Sequence, residues 1–442
     1  MRRPSAVPLA RRPIPPDRAM SGFLTRGHPA ASAAIAAMIA GSPPHALLIA
    51  GPPGVGKTTL ALDLAAGLVC DVADPAARPC RACRGCRLVD SGGHADLHRL
   101  VPGGAGDQIR IGDRADPEPG TIRRLISELA LLPVEGGARV AIVERAERLN
   151  EEAQSALLKT LEEPPAGVTI ILCVEREDQL LPTVRSRCVR VRLGPVGVRD
   201  IEAILGDQGV ADASTAGQLA RLANGRPGVA RAWALAPEAV SARAEIVRSL
   251  LDLLAAPAAR RLAAIRELIA RAADIERALA RPVMGTTLVE TARGGRPRRA
   301  ASRAASATGD GSATPAAAAT AALDDVVAGD PTANGEGDPA EADEPRDTRA
   351  PASERRRAAT TLVAIWRDLA RDLAVAGLGD ERLVRDTGLL DELRAASGIS
   401  TGELTAFLER LDRSGELIEA NASPELVLDV LVLSWPRRPR AA

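Results

Sequence analysis

The segment GPPGVGKTT at residues 51–59 constrains the fold of this chain more than any other feature, because it follows the apolar run HALLIA at 45–50. It fits the pattern G-x-x-x-x-G-K-[ST], and the helical segment TTLALDLAAGLV begins at Thr58. A strand, a glycine-rich loop and a helix in this order predict a P-loop domain, in which backbone N–H groups surround phosphates at a helix N-terminus. The alternative is an inherited loop that no longer holds nucleotide.

The residue types in the loop assign a role to its main positions. Lys57 would place its charge on the outer phosphates, and the hydroxyl of Thr58 would reach Mg²⁺. The segment is therefore predicted to bind ATP with Mg²⁺. The predicted ATP site in the loop consists of Gly51, Pro52, Gly54, Gly56, Lys57, Thr58 and Thr59.

Apolar runs typical of buried strands alternate with amphipathic stretches between residues 30 and 193. This alternation predicts an α/β domain with a parallel sheet and helices on both faces. One helix is legible in detail, because Asn150 can cap it and Pro164 with Pro165 ends it. The predicted strands are HALLIA, DLHRLV, RVAIV, VTIILC and VRVRL. The helical stripe after Asn150 is Ala153, Ala156, Leu157, Thr160 and Leu161.

Composition changes along the chain and predicts its division into domains. The stretch 286–357 is rich in Ala, Gly, Pro, Asp and Thr, and it cannot bury enough apolar surface to offset the entropy of ordering. We interpret it as a disordered insertion; a marginal helix at TPAAAATAALDDVV is the alternative. The predicted parts are a disordered arm at 1–22, a P-loop domain at 23–194, a helical lid at 195–240, and a helical domain at 241–285 and 358–442 that the insertion interrupts.

Four of the six cysteines form the pattern C-x9-C-x2-C-x2-C at Cys70, Cys80, Cys83 and Cys86. Thiolates at this spacing converge on a tetrahedral site, and structural zinc is the predicted metal because four thiolates leave no open position for chemistry. An iron–sulfur cluster and free or disulfide-bonded thiols are the alternatives. We expect nearby His94 to stabilise a turn rather than to bind the metal.

Charge and composition exclude several classes of function. Lys and Arg together number 57, and Asp and Glu together also number 57, so the formal net charge is zero. The net charge therefore does not indicate a nucleic-acid-binding protein. Aromatic residues are 1% of the chain, which argues against base stacking and leaves the DNA backbone as the only expected kind of DNA contact. No apolar run approaches the roughly 18 residues of a membrane span. We therefore expect a cytoplasmic protein with no membrane partner.

Several motifs together resemble the clamp-loader subunits of bacterial DNA polymerase III. They are the P-loop, the cysteine insert at 70–86, HADLHRL at 94–100, SALLKTLEEPP at 155–165, SRC at 186–188 and NASPELVLDVLVLSW at 421–435. The resemblance implies a fold of the AAA+ class, a three-helix lid, and a collar domain that joins five subunits into a ring. It further implies gamma/tau and delta subunits as partners, with the beta sliding clamp and primed DNA bound through the complex.

Two kinds of subunit in that family carry such a cysteine insert, the gamma/tau motor and delta-prime. The motor ends its third strand in an Asp that holds Mg²⁺ and a Glu that orients water, whereas this chain has Glu144 and Arg145. Glu144 can still reach the metal, but a guanidinium cannot accept a proton from water. We predict absent or very slow hydrolysis at this site, with Glu147 expected to face elsewhere.

Other positions are predicted in the same way. Val174 is placed where the motor has a polar residue that senses the terminal phosphate, and neither Arg226 nor Arg231 falls cleanly on the motor's lid arginine. The motif SRC makes Arg187 the predicted arginine finger for a neighbouring subunit's ATP, with pairing at the sheet edge as the alternative. The resemblance thus favours a delta-prime subunit. A gamma/tau-type motor ATPase and a stand-alone zinc-stabilised AAA+ enzyme are the alternatives.

Overall fold

The computed structural model of the protein describes residues 22–103, 107–135, 137–280, 351–396 and 398–438. The predicted N-terminal arm lies outside these residues except for its last position. Most of the predicted insertion at 286–357 also lies outside them.

A five-stranded parallel sheet with the order β2-β3-β4-β1-β5 forms the centre of the P-loop domain. All five predicted strands are present, and their bounds differ from the predicted ones by at most one residue. The predicted α/β fold with a parallel sheet is therefore confirmed. The strands are β1 (Ala46–Ala50), β2 (Leu97–Leu100), β3 (Arg139–Val143), β4 (Val168–Val174) and β5 (Val189–Arg192).

Helices cover both faces of this sheet, as the continuous apolar runs require. Leu47 and Ile49 of β1 point into the core on one face, and Leu48 points into the core on the other. The helices of this part are α1 (Pro29–Ala40), α2 (Lys57–Leu68), α3 (Arg84–Asp90), α4 (Ile122–Leu129), α5 (Glu151–Glu162) and α6 (Pro182–Arg185). The first three belong to the face of Leu47, and the last three to the face of Leu48.

Helix α5 forms as its sequence predicts. The side chain of Asn150 accepts a hydrogen bond from the backbone N–H of Ala153 at 3.0 Å, which satisfies one of the free N–H groups of the first turn. Leu157 and Leu161 are buried against the sheet. The helix ends at Glu162, two residues before the first of the two prolines.

Three short helices follow the sheet and share a small apolar core. They are α7 (Val198–Asp207), α8 (Ala213–Leu222) and α9 (Pro227–Leu235). Ile201 and Leu205 of α7 pack in this core with Leu219 and Leu222 of α8 and Ala230 of α9.

The remaining helices form a separate apolar core with an aromatic centre. Trp366, Phe407 and Trp435 lie with ring centroids 4.7 to 5.5 Å apart, and the indole N–H of Trp435 donates to the carbonyl of Leu250 at 2.9 Å. These helices are α10 (Pro237–Asp252), α11 (Ala258–Ala280), α12 (Ala352–Gly377), α13 (Leu390–Ala395), α14 (Thr401–Glu419) and α15 (Pro424–Ser434). No helix among the described residues is both long and apolar enough to cross a membrane.

Helix α12 begins at Ala352, inside the range predicted as insertion. Its first turns read ASERRRAA, a run of residues that favour helix, and Pro351 stands at the capping position. The low-complexity composition ends before this run, so the predicted end at 357 is too late.

Candidate nucleotide site and metal centre

The phosphate loop leaves the carboxyl end of β1 between the ends of β4 and β5. The backbone N–H of Gly51 donates to the carbonyl of Val174 at 3.1 Å, which ties the start of the loop to β4. Gly54 and Gly56 have φ values of +76° and +107°, a region that favours glycine. This backbone has the shape of an anion cradle that opens onto the N-terminus of α2, so the loop fits a phosphate group.

Lys57 is held by the loop itself. Its ammonium donates to the carbonyls of Gly51 at 2.7 Å and Pro52 at 2.8 Å, and the residue is 8% exposed. Burial lowers the pKa of Lys57, while the charges of Glu175 and Glu147 oppose that shift. A bound phosphate would replace the two carbonyls as partner of the ammonium.

Thr58 and Glu144 meet where the magnesium of a nucleotide would lie. The Thr58 hydroxyl donates to a carboxylate oxygen of Glu144 at 3.3 Å. The other oxygen of Glu144 accepts from Nε of Arg99 at 3.1 Å. A hydroxyl and a carboxylate are suitable magnesium ligands, and these two would hold the ion. Thr59 lies half-buried in the first turn of α2.

Arg145 is turned out of this site. Its backbone adopts the left-handed region with φ 50° and ψ 52°, and its guanidinium pairs with the carboxylate of Asp107. The same carboxylate lies 3.7 Å from the guanidinium of Arg357, at the start of α12. Asp107 therefore lies between Arg145 at the end of β3 and Arg357 in a helix of the C-terminal part.

Two sequence predictions about this edge of the sheet are wrong. Val174 does not face the phosphates, because its side chain is fully buried in the core below the sheet. The next residue, Glu175, is exposed at this edge of the sheet. Its negative charge opposes the lowering of the pKa of Lys57 by burial. Glu147 was expected to face elsewhere, but its carboxylate accepts from the backbone N–H of Glu175 at 3.3 Å and also affects Lys57. Burial raises the pKa of Glu147, and the neighbouring charge of Glu175 adds to that shift.

Residues 226–229, within the range predicted as a lid, lie against the phosphate loop. The N–H of Gly228 donates to the carbonyl of Gly54 at 2.8 Å, and a Cβ atom on Gly228 would lie 3.0 Å from that oxygen. Arg226 donates from Nε to the carbonyl of Ala223 at 2.9 Å. Burial lowers the pKa of Arg226, and the charge of Asp368 in α12 opposes the shift. Glycine thus occupies the point where the lid meets the phosphate loop.

Arg187 lies just after α6 at the surface. Its guanidinium donates to the carbonyl of Thr183 at 2.9 Å and pairs with the carboxylate of Glu162, at the end of α5. The side chain of Arg187 is 35% exposed and that of Glu162 is 49% exposed. The ion pair between Arg187 and Glu162 brings the motifs SRC and LLKTLEEPP into contact.

The four predicted cysteine ligands come together. Their Sγ atoms all lie within 4.8 Å of one another, and those of Cys70 and Cys83 are 4.0 Å apart. A tetrahedral Zn²⁺ with Zn–S distances of about 2.3 Å separates its sulfur ligands by about 3.8 Å, so the cluster can hold zinc. The backbone N–H groups of Cys83 and Cys86 point to the sulfurs of Cys80 and Cys83 at 3.3 and 3.4 Å, which favours thiolates.

The environment of the thiols differs from one cysteine to the next. Burial raises the pKa of Cys70 and Cys86. Burial also acts against ionisation of Cys80, but hydrogen bonds, among them those from the backbone of Ala82 and Cys83, lower its pKa to about 7. Zinc would favour the thiolate form of all four. His94 is not among them: its Nδ1 accepts from the backbone N–H of Asp96 at 3.1 Å, which is the predicted role in a turn.

The sequence reasoning missed Glu175, Asp107 and Arg99. Glu175 carried a signal, because it directly follows a buried strand at the edge of the sheet where P-loop ligands bind. Arg99 lies on β2 within the motif HADLHRL, which sequence inspection noted without assigning it a role. The pairing of Asp107 with Arg145 had no local signal.

Comparison with known proteins finds similarity over the first part of this chain. Residues 28–197 match the family described as DNA polymerase III, delta subunit. The DNA polymerase III subunit delta' of Pseudomonas aeruginosa is 36% identical over 146 residues, which are 33% of this chain and 42% of that protein. The delta' subunit of Bacillus subtilis is 32% identical over 207 residues, which are 46% of this chain and 58% of that protein. The tau subunit of Salmonella typhimurium is 33% identical over 186 residues, 41% of this chain and 27% of that protein. The matched segments thus span from 27% to 58% of these relatives' lengths.

Proposed function

We propose that the chain acts as the delta-prime subunit of a bacterial DNA polymerase III clamp loader, a proposal supported by the family match over residues 28–197 and by the similarity to delta' subunits. In this role it joins gamma/tau and delta subunits in a cytoplasmic ring. The ring places the beta sliding clamp on primed DNA.

One observation carries the choice of delta-prime over a motor. The position after Glu144 holds Arg145, whose guanidinium is engaged with Asp107 instead of supplying a carboxylate for water. An ATPase needs a group there that accepts a proton or orients the attacking water. The site therefore binds nucleotide, through the P-loop with Thr58 and Glu144, without hydrolysing it at a useful rate.

Arg187 is proposed to act on the nucleotide of the neighbouring subunit. Its side chain is one-third exposed, and its partner Glu162 is a surface carboxylate that a phosphate group of the neighbour can replace. The hydrogen bond to the carbonyl of Thr183 keeps the guanidinium oriented during that exchange. An arginine in this role stabilises the charge that develops on the transferred phosphoryl group.

The C-terminal helices α10 to α15 are proposed to form the collar of the ring. Leu426, Val430 and Leu433 lie on one face of α15 at helical spacing and are 67%, 67% and 46% exposed. An exposed apolar stripe on a helix supports burial against another subunit. The Cys70–Cys86 site is proposed to hold one structural zinc.

A motor of the gamma/tau type is the second candidate. The observation in its favour is the position of Glu147, whose carboxylate lies close enough to Lys57 to affect its pKa. If Glu147 orients water, the chain hydrolyses ATP by itself. A motor of this type also forms homo-oligomers, which separates the two candidates by size.

Assembly tests the proposal. The purified chain is expected to be a monomer by light scattering, and to enter one complex when mixed with gamma/tau and delta subunits. The variant Val430→Asp should block entry, and Leu378→Asp, which changes a residue 73% exposed outside α15, should not. A homotrimer of the chain alone would favour the motor, and failure to enter any ring would refute the proposed function.

A further inference from the structure

A guanidinium lies beside the carboxylate that faces the phosphate loop. Arg99 belongs to β2, and Glu144 follows the last residue of β3. The backbone N–H of Glu144 donates to the carbonyl of Leu100 at 2.8 Å, which fixes the end of β3 against β2. The pairing of neighbouring strands therefore holds the side chains of Arg99 and Glu144 next to each other.

The guanidinium of Arg99 contacts one oxygen of this carboxylate twice. Its Nε donates to Oε1 of Glu144 at 3.1 Å, and its Nη2 donates to the same oxygen. The side chain of Arg99 is 28% exposed and that of Glu144 is 18% exposed. A guanidinium stays charged at physiological pH, and its hydrogen bonds to a carboxylate are among the stronger ones in proteins. The chain itself thus supplies a counter-cation for Glu144.

The other oxygen of Glu144 points to the phosphate loop. This oxygen, Oε2, accepts from the hydroxyl of Thr58 at 3.3 Å. Other charged groups nearby have partners of their own: Lys57 donates to carbonyls of its loop, and Glu147 accepts from a backbone N–H. Among the described residues, the cation in contact with Glu144 is Arg99.

This ion pair reduces the need for a metal in the site. In a P-loop protein the carboxylate after the third strand and the phosphates are both negative, and Mg²⁺ offsets their repulsion. Arg99 offsets the charge of Glu144 without a metal, and its own charge repels a divalent cation placed on the same carboxylate. Thr58 and the second oxygen of Glu144 still fit Mg²⁺, but the ion gains less here than beside an unpaired carboxylate.

We propose that Arg99 takes the place of Mg²⁺ as the counter-cation of Glu144, so that this phosphate loop binds nucleotide with little dependence on Mg²⁺. Arg99 is a positioning residue, because it acts through Glu144. The inference rests on the proposed function, in which the site holds nucleotide without hydrolysing it. A weakly held metal is a second reason for the lack of hydrolysis, because phosphoryl transfer requires Mg²⁺.

Calorimetric titration of the full-length chain with ADP tests the proposal without relying on activity. One titration contains excess Mg²⁺, and the other uses buffer freed of divalent cations by chelating resin before the protein is added. The unaltered chain should bind ADP with affinities that agree within about threefold. Arg99→Gln leaves the charge of Glu144 unbalanced, so its affinity without Mg²⁺ should be at least about tenfold lower than with Mg²⁺. Arg99→Lys keeps the charge and should behave like the unaltered chain.

Two further variants separate the effect of charge from an effect on folding. Arg124→Gln removes the same charge from an exposed residue of α4 and should leave both affinities unchanged. The double variant Arg99→Gln with Glu144→Gln removes both charges of the pair. It should recover the metal-free affinity of the unaltered chain within about threefold, because no unbalanced carboxylate is left.

The proposal is overturned if removal of Mg²⁺ weakens ADP binding to the unaltered chain at least about tenfold. Absence of ADP binding would overturn it as well. So would equal Mg²⁺ dependence in the unaltered chain and Arg99→Gln, or a double variant that melts like the unaltered chain and does not recover affinity. Failure of ring assembly would refute the proposed function alone, because it does not alter these affinities.

Discussion

Replacing Arg187 by alanine is expected to impair ATP hydrolysis in a neighbouring subunit while leaving this chain folded. The structural cost is small, because the ion pair with Glu162 is partly exposed and such pairs contribute about 0.2–1 kcal/mol. The catalytic cost is far larger, because loss of an arginine finger lowers the rate at the served site by about 10³ to 10⁵. The two effects therefore differ enough to be separated.

The assay is ATP turnover by a reconstituted loader in the presence of clamp and primed DNA. The Arg187→Ala ring should lose the share of turnover contributed by the one site that Arg187 serves. Glu162→Ala is the matched control, because it removes the same ion pair and keeps the guanidinium. Equal turnover in the two variant rings would refute the role of Arg187 in trans.

Three further predictions concern the metal cluster, the C-terminal core and Arg145. Metal analysis should find about one zinc per chain. The variant Cys83→Ser should have a lower zinc content and a lower melting temperature. A fully folded protein without metal would contradict the zinc site. Trp435→Ala should lower the free energy of unfolding by about 3–5 kcal/mol in urea titrations, because it empties the aromatic core; a change below about 1 kcal/mol would contradict that packing. Arg145→Ala should not produce ATP turnover, because it removes the ion pair with Asp107 without supplying a group that accepts a proton from water, and measurable turnover would contradict the role assigned to this position.

The sheet and α5 could be predicted because their signals are local. Apolar runs of strand length define β1 to β5, and the cap at Asn150 with the two prolines after it sets the limits of α5. The metal cluster could also be predicted from the sequence, since three of its four ligands lie within seven residues, from Cys80 to Cys86. In each case the deciding signal lies in residues close in sequence.

The edges of the nucleotide site could not be predicted in the same way. The predicted strand VTIILC ends at Cys173, whereas β4 continues to the buried Val174, so an error of one residue at the strand end placed Val174 at the exposed edge that Glu175 occupies. Arg145 and Asp107 lie 38 residues apart, and no local pattern pairs them. The position of Glu147 depends on the turn after β3, which begins at a non-glycine residue in the left-handed region.

The central claim is that this chain binds nucleotide but does not hydrolyse it. Measuring ATP turnover by the isolated chain tests that claim most directly. The unaltered protein and Lys57→Ala are compared under identical conditions, because the substitution removes the charge that holds the outer phosphates. We expect the two preparations to release phosphate at the same background rate. Steady turnover that disappears in Lys57→Ala would show that this chain splits its own nucleotide and would contradict the account.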